Sequence, residues 1–217
     1  MFGQQGLLVK NFDLNDAKRG EITHSHIFKI AGDELLLDSL DLSNGSLREG
    51  CGKLGQIQLL HRCVALRALN LSSNALWLDP WIDLTMDANE VFSQEASLLN
   101  ALNEKSRNTL CELDLFATST LYPKDMVALA TAFKNLRRLS IGKVQFDEES
   151  LGTGYQDDFI PFFSVLPKQM QALDLSNCRF VSITHMEIII ERCKNLQGKV
   201  FREASKIQHF ILILEIM

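Results

Sequence analysis

The sequence predicts an α/β fold: a solenoid of about seven strand-plus-helix units in one domain over 1–217, with an inner parallel sheet and outer helices. Three observations predict it. Residues 66–76 read LRALNLSSNAL, which satisfies the strand-and-turn pattern L-x-x-L-x-L-x-x-N-x-L at every defined position. The same register returns along most of the chain. Between its occurrences the apolar period changes from that of a strand to that of a helix, as a unit needs if a helix returns the chain to the next strand.

Taking the first leucine of the pattern as position one, the register starts near Val9, Leu37, Leu66, Leu110, Leu136, Met170 and Leu196. Position four then holds Phe12, Leu40, Leu69, Leu113, Leu139, Leu173 and Lys199, and position six holds Leu14, Leu42, Leu71, Leu115, Ile141, Leu175 and Phe201. Thirteen of these fourteen residues are apolar, so a strand at each start has one buried face to stack on its neighbours. The asparagine position is looser, with Ala17, Gly45, Asn74, Thr118, Val144, Cys178 and Ala204.

Helices are expected near 24–35, 52–63, 91–104 and 156–166, with two better-marked ones beside them. Residues 123–135 open on a proline suited to a first helical turn and set Met126, Val127, Leu129, Ala130 and Phe133 along one broad face. Residues 183–195 offer Thr184 as N-cap with Glu187 three residues on, a capping-box spacing.

The step from Leu66 to Leu110 is 44 residues, 15 longer than the 29 before it. The excess falls at WLDPWIDLTMDANE (77–90), which contains both tryptophans of the chain. Insertions in solenoids map to loops on one face, so Trp77 and Trp81 form either a packed lid, with Ile82 and Leu84, or a patch offered to a partner. A shorter excess at 147–158 reads as a solvated loop. An open end of a solenoid exposes core and strand edge. The apolar FILILEIM, within a C-terminal cap at about 203–217, is expected to cover that end, or else to associate with a second copy.

These units resemble the long, helix-containing leucine-rich repeats of the ribonuclease-inhibitor-like class and its cysteine-containing relative. Steps of 28 and 29 match the first. The segment 173–196 resembles the second, with Cys178 at the asparagine position and Cys193 three residues before the next start, a place Cys63 also takes. VLPKQMQALDLSN (165–177) is similar to repeats of leucine-rich effectors that bacteria deliver into host cells. The resemblance covers about residues 9–202 and implies a right-handed horseshoe whose concave face binds a protein partner.

In that register positions two, three, five, seven and eight point outward or frame the concave face. The first two units contribute Asp13, Asp16, Asp38 and Asp41, and later ones Glu112, Asp114 and Asp174. Arg67 and a basic group of Arg137, Arg138 and Lys143 stand against them, so an acidic end beside a basic block is expected to orient a partner of complementary charge. Asn70 shares position five with the aspartates, and Phe116 at position seven is a candidate aromatic anchor. Aspartate at position five is also common in the family's LDLS phrase without any ligand.

Composition narrows the function classes. A net charge of −5 and a pI near 5.6 give no overall reason to bind nucleic acid or an anionic membrane. The five cysteines form no CxxC pair and no zinc-type grouping with histidine, and the start of the chain shows no secretory signal. An intracellular, reducing setting is the expectation, the host cytosol in the case of a delivered effector. FILILEIM is far shorter than the roughly 20 residues of a spanning helix. His24 and His26 fall in an expected helix, where a two-residue spacing separates side chains. No GxSxG, HExxH or GxxxxGK[ST] phrase occurs. No metal, cofactor or catalytic residue is expected; Cys111 alone of the register cysteines is placed on the concave face.

The expectation is a non-enzymatic interaction module. The alternatives are a substrate-recognition subunit of a ubiquitin ligase, for which the eight residues before Val9 leave no F-box, and a small-GTPase regulator, for which no catalytic arrangement is assignable.

Overall fold

The structure is a computed structural model that describes residues 11–13, 35–43, 59–73, 99, 102–118, 123–144 and 155–197. Its centre is a parallel sheet of six strands: β1 (Asn11–Asp13), β2 (Ser39–Asp41), β3 (Ala68–Asn70), β4 (Glu112–Asp114), β5 (Arg138–Ser140) and β6 (Ala172–Asp174). They lie side by side in chain order. Each occupies positions three to five of its register. The position-four residues pair directly, Phe12 with Leu40, then Leu69, Leu113, Leu139 and Leu173 in a single row.

Strands of three residues carry few ladder bonds, and the flanking backbone supplies more. At position two, Arg67 N–H donates to the Asp38 carbonyl, Cys111 to Arg67, Arg137 to Cys111, Gln171 to Arg137 and Gln197 to Gln171, over 2.7–2.8 Å. Gln197 is position two of the register starting at Leu196, so this run of bonds continues beyond β6.

The strands end in a shared turn. Ser73, Ala117, Lys143 and Asn177, all at position eight, have φ between 54° and 59°, a left-handed conformation uncommon for side chains other than Asn and Asp. Three of them donate their N–H to the neighbouring turn: Ser73 to Phe116, Ala117 to Gly142 and Lys143 to Ser176, at 2.7–2.8 Å. Stacking of turn on turn supplies the backbone partners that hold these residues there.

Helices α1 (Glu104–Thr109), α2 (Pro123–Ala132) and α3 (Ile160–Val165, after a 3-10 turn at Tyr155–Phe159) lie between successive strands from β3 to β6, and α4 (Ile183–Arg192) follows β6. Helix α2 packs on α3, and α3 on α4. The core lies between them and the sheet: Leu40, Leu69, Leu113, Leu139 and Leu173 meet Met126, Leu129, Phe133, Phe162 and Met186 in one buried cluster. Under α3 and α4 the rings of Phe159 and Phe180 stack at 4.0 Å, and the Phe163 ring lies 5.0 Å from that of His185.

Helix ends differ from the expected ones. Of the helix expected at 91–104, most lies outside the described residues, among which Leu99 is helical; a helix starts at Glu104, where Asn103 caps it: its Oδ1 accepts the Lys105 N–H (2.9 Å) while its Nδ2 donates to the His61 carbonyl (3.0 Å). The 156–166 helix opens as a 3-10 turn and becomes α-helical at Ile160. Helix α4 is capped by Ser182, not Thr184; the Ser182 N–H donates to Nδ1 of His185 (3.0 Å), so a histidine does what Glu187 was expected to do. Residues 59–62 are helical, as part of the expected 52–63 helix. The remainder of that helix, the 24–35 helix, the insertion at 77–90, the starts of the 147–158 loop and the C-terminal cap lie outside the described residues.

Candidate functional site

Alternation along each strand decides what the sheet presents on the face that no described helix covers, its helix-free face among the described residues. Position four points into the core, so positions three and five point the other way. On that face lies a depression of about 360 Å³ crossing β2 to β6, and Gln197 joins its lining. Small residues at position three, Ser39, Ala68 and Ala172, give it depth, with Glu112 and Arg138 between them.

Position five holds Asp41, Asn70, Asp114, Ser140 and Asp174 in strand order, all half-buried. Four of the five cap their own turn: Oδ1 of Asp41, Asn70, Asp114 and Asp174 accepts the N–H of Ser43, Ser72, Phe116 and Ser176 respectively, at 2.8–2.9 Å. This is the Asx-turn geometry, a local reason for the residue type that requires no ligand. Lateral bonds join the row. Asn70 Nδ2 donates to Asp41 Oδ2 (2.9 Å) and the Ser140 hydroxyl to Asp174 Oδ2 (3.2 Å). Both neighbours of Asp114 thus direct their donors away from it, and among the described residues its Oδ2 accepts no hydrogen bond.

The basic residues are distributed differently. Arg67 lies 3.8 Å from Asp38 on the preceding strand's flank, and Arg138 lies 3.7 Å from Glu112. Both pairs are exposed, so they set local charge balance and add little stability. Arg137 is exposed at position two. Lys143 is exposed in the left-handed turn at position eight. The expected division into an acidic end and a basic block therefore takes another form: across the strands, position five carries carboxylates and no base, while Arg67, Arg137 and Arg138 stand at positions two and three.

Position seven differs from its expected outward placement. Ser43, Gly142 and Ser176 are buried there, because the left-handed turn folds back over the core. Phe116 is half-buried, with its ring edge against Gly142: a Cβ at Gly142 would stand 2.8 Å from Phe116 Cδ2 and 2.6 Å from Ser176 Oγ. The ring fills the space that residue 142 leaves by lacking a side chain. Trp77 and Trp81 lie outside the described residues, as does the side chain of Asp13.

The thiols divide by position. Cys63, Cys178 and Cys193 are buried. Burial pushes Cys63 up to about 12; burial, then the charge of Asp174, does the same for Cys178; burial raises Cys193. The Cys178 Sγ–H donates to the Ile141 carbonyl at 3.1 Å, and at the same register position Thr118 donates its hydroxyl to Leu115 at 2.8 Å. Position nine thus ties the turn to the core through a small donor in these two units, while buried Val144 fills the same place without one. Cys111 is half-exposed at position two, with Sγ 3.3 Å from the Thr109 carbonyl.

Sequence reasoning missed the lateral bonds of Asn70 and Ser140, the His185 cap and Ser106, which is fully buried, accepts the Leu66 N–H (3.1 Å) and donates to the Cys63 carbonyl. Only the polar run at position five carried a readable signal. Among the described residues no group of three His, Cys, Asp or Glu side chains is placed to hold a metal ion, and no helix is long and apolar enough to cross a membrane. Compared with protein-family models and with curated protein sequences, the chain matches none.

Proposed function

We propose that the chain is a right-handed leucine-rich repeat solenoid of about seven units, and that it is a non-enzymatic module holding a protein partner on the inner face of its sheet. Supporting the solenoid are six strands in chain order at one register position, a left-handed residue recurring at position eight, and the position-two bonds that reach Gln197. The binding reading is carried by one observation: the helix-free face holds a depression of about 360 Å³ lined by polar and charged side chains from five strands. A largely apolar hollow with a few polar side chains converging on it is what recognition of a partner's side chains requires.

The full chain, immobilised, should retain a protein from cell extract that also binds when purified. Ala172→Trp fills the depression and should abolish that binding, whereas Glu187→Arg, on the exposed side of α4, should leave it intact. Undiminished binding by Ala172→Trp refutes the placement of the site.

A further inference from the structure

The helix-free face has a charge pattern specific enough to name its occupant's chemistry. Resting on the binding role proposed above, we infer that this face takes an extended, basic peptide segment of a partner, with arginine or lysine side chains at every third residue, the middle one on Asp114.

Two of the three features behind this are steric. The depression crosses five strands, so a segment in it runs across the strand direction. An α-helix, about 10–12 Å across with its side chains, would rest over this open depression and turn most of its side chains away from it. A single extended segment with side chains directed downward fits better. Ala68 and Ala172 leave room for the aliphatic stems.

The third is charge complementarity. Asp41, Asp114 and Asp174 stand on β2, β4 and β6, with neutral Asn70 and Ser140 on the strands between. Strands are about 4.8 Å apart, so the carboxylates recur about every 9.6 Å. A polyproline II segment has three residues per turn and about 3.1 Å rise, so it returns a side chain to one face every 9.3 Å or so. A basic residue at every third position therefore matches all three carboxylates at once. A phosphate backbone would instead meet a row of like charge.

The three acids are not equivalent. Asp41 and Asp174 each receive a lateral donor from Asn70 or Ser140, which occupies Oδ2. Asp114 Oδ2 receives none among the described residues, and Arg138, which lines the same depression, is already 3.7 Å from Glu112. Asp114 therefore has the most to gain from an incoming guanidinium or ammonium, and it stands at the centre of the row.

The test uses the full chain and fluorescent peptides read by anisotropy. The probe is (Arg-Pro-Pro)₄; the comparisons are (Glu-Pro-Pro)₄ and a peptide of the first composition with its four arginines in one block. The first should bind, more weakly as salt rises, the glutamate peptide should not, and the block peptide should bind at least about three-fold more weakly. Asp114→Asn keeps the Oδ1 acceptor for the Phe116 N–H and removes only the charge, so the turn survives. It should weaken (Arg-Pro-Pro)₄ about ten-fold or more, as loss of a charge partner in an interface does. Equal binding of the block peptide, binding of the glutamate peptide, or an unchanged affinity in Asp114→Asn overturns the inference. If Ala172→Trp abolishes capture of the cellular partner while Asp114→Asn leaves both peptide and partner binding unchanged, only this inference fails. If Ala172→Trp also leaves capture intact, the proposed binding face itself fails.

Discussion

Leu113→Ala probes the row of leucines at its middle. The side chain is 2% exposed and stands between Leu69 and Leu139 in the sheet, facing Met126, Leu129 and Phe133. The void those residues share is about 10 Å³, at or below what one water needs, so there is little slack for collapse. Removing three carbon groups forfeits about 0.8 kcal/mol each, or about 2.4 kcal/mol. A residual cavity of roughly 50 Å³ adds about 1.2 kcal/mol at about 24 cal/mol per Å³, for a total of about 3 to 4 kcal/mol. Urea unfolding of the full chain, followed by circular dichroism, should show a lower midpoint at unchanged slope. The control is Leu36→Ala, 56% exposed, which should cost under about 0.5 kcal/mol. A cost below about 1 kcal/mol for Leu113→Ala, or equal costs for the two variants, refutes a continuous packed row. A reduced slope would show units coming apart separately, as neighbour-only contacts permit.

Other consequences are as direct. Native alkylation near pH 8 should label Cys111 and spare Cys63, Cys178 and Cys193 until urea exposes them; rapid labelling of any buried thiol would contradict its placement. Cys63 and Cys178 keep their protons up to about pH 12 when folded, against an ordinary 9.0. The unfolded chain loses them first, so their contribution is complete below pH 9 and is lost between 9 and 12, with a slope of up to about 1.4 kcal/mol per pH unit for each thiol. Cys63→Ala should flatten that alkaline loss, as read from melting temperature against pH. Lys143→Gly relieves a left-handed side-chain conformation and should raise stability by about 0.5 kcal/mol, the relief being offset in part by a freer unfolded chain; a clear loss would contradict the φ of 57°. Gly142→Ala drives a methyl into Phe116 and Ser176 and should cost about 1–3 kcal/mol, a cost that Phe116→Ala should partly recover in a double-mutant cycle.

The strands were legible because a fault in register would turn a leucine outward: with a period of two, a slip of one residue exchanges faces. Six starts, Val9 to Met170, therefore locate six strands at positions three to five. Helix ends were less legible, since capping depends on partners far away in sequence. Asn103 begins α1 partly through the His61 carbonyl, 42 residues earlier. His185 caps α4 through an imidazole nitrogen, where the capping-box spacing points to Glu187. The left-handed turn at position eight was not legible either, since Ser73, Ala117 and Lys143 do not announce it and only Asn177 is a residue with that preference. At the candidate site the identities of the polar residues were readable, but their engagement was not. Nothing in the sequence distinguishes Asp114, with an oxygen to spare, from Asp41 and Asp174, whose second oxygens are occupied.

Register is the claim on which the face, its depression and its carboxylate row all depend, and disulfide trapping measures it. Arg138 and Ala172 pair directly across β5 and β6, at a separation a disulfide spans. Arg138→Cys with Ala172→Cys should oxidise to an intramolecular bond under mild conditions, without loss of stability. The shifted pair, Arg138→Cys with Leu173→Cys, places one thiol on the open face and one in the core and should not link. Efficient linking of the shifted pair, or none of the direct pair, would contradict the parallel row.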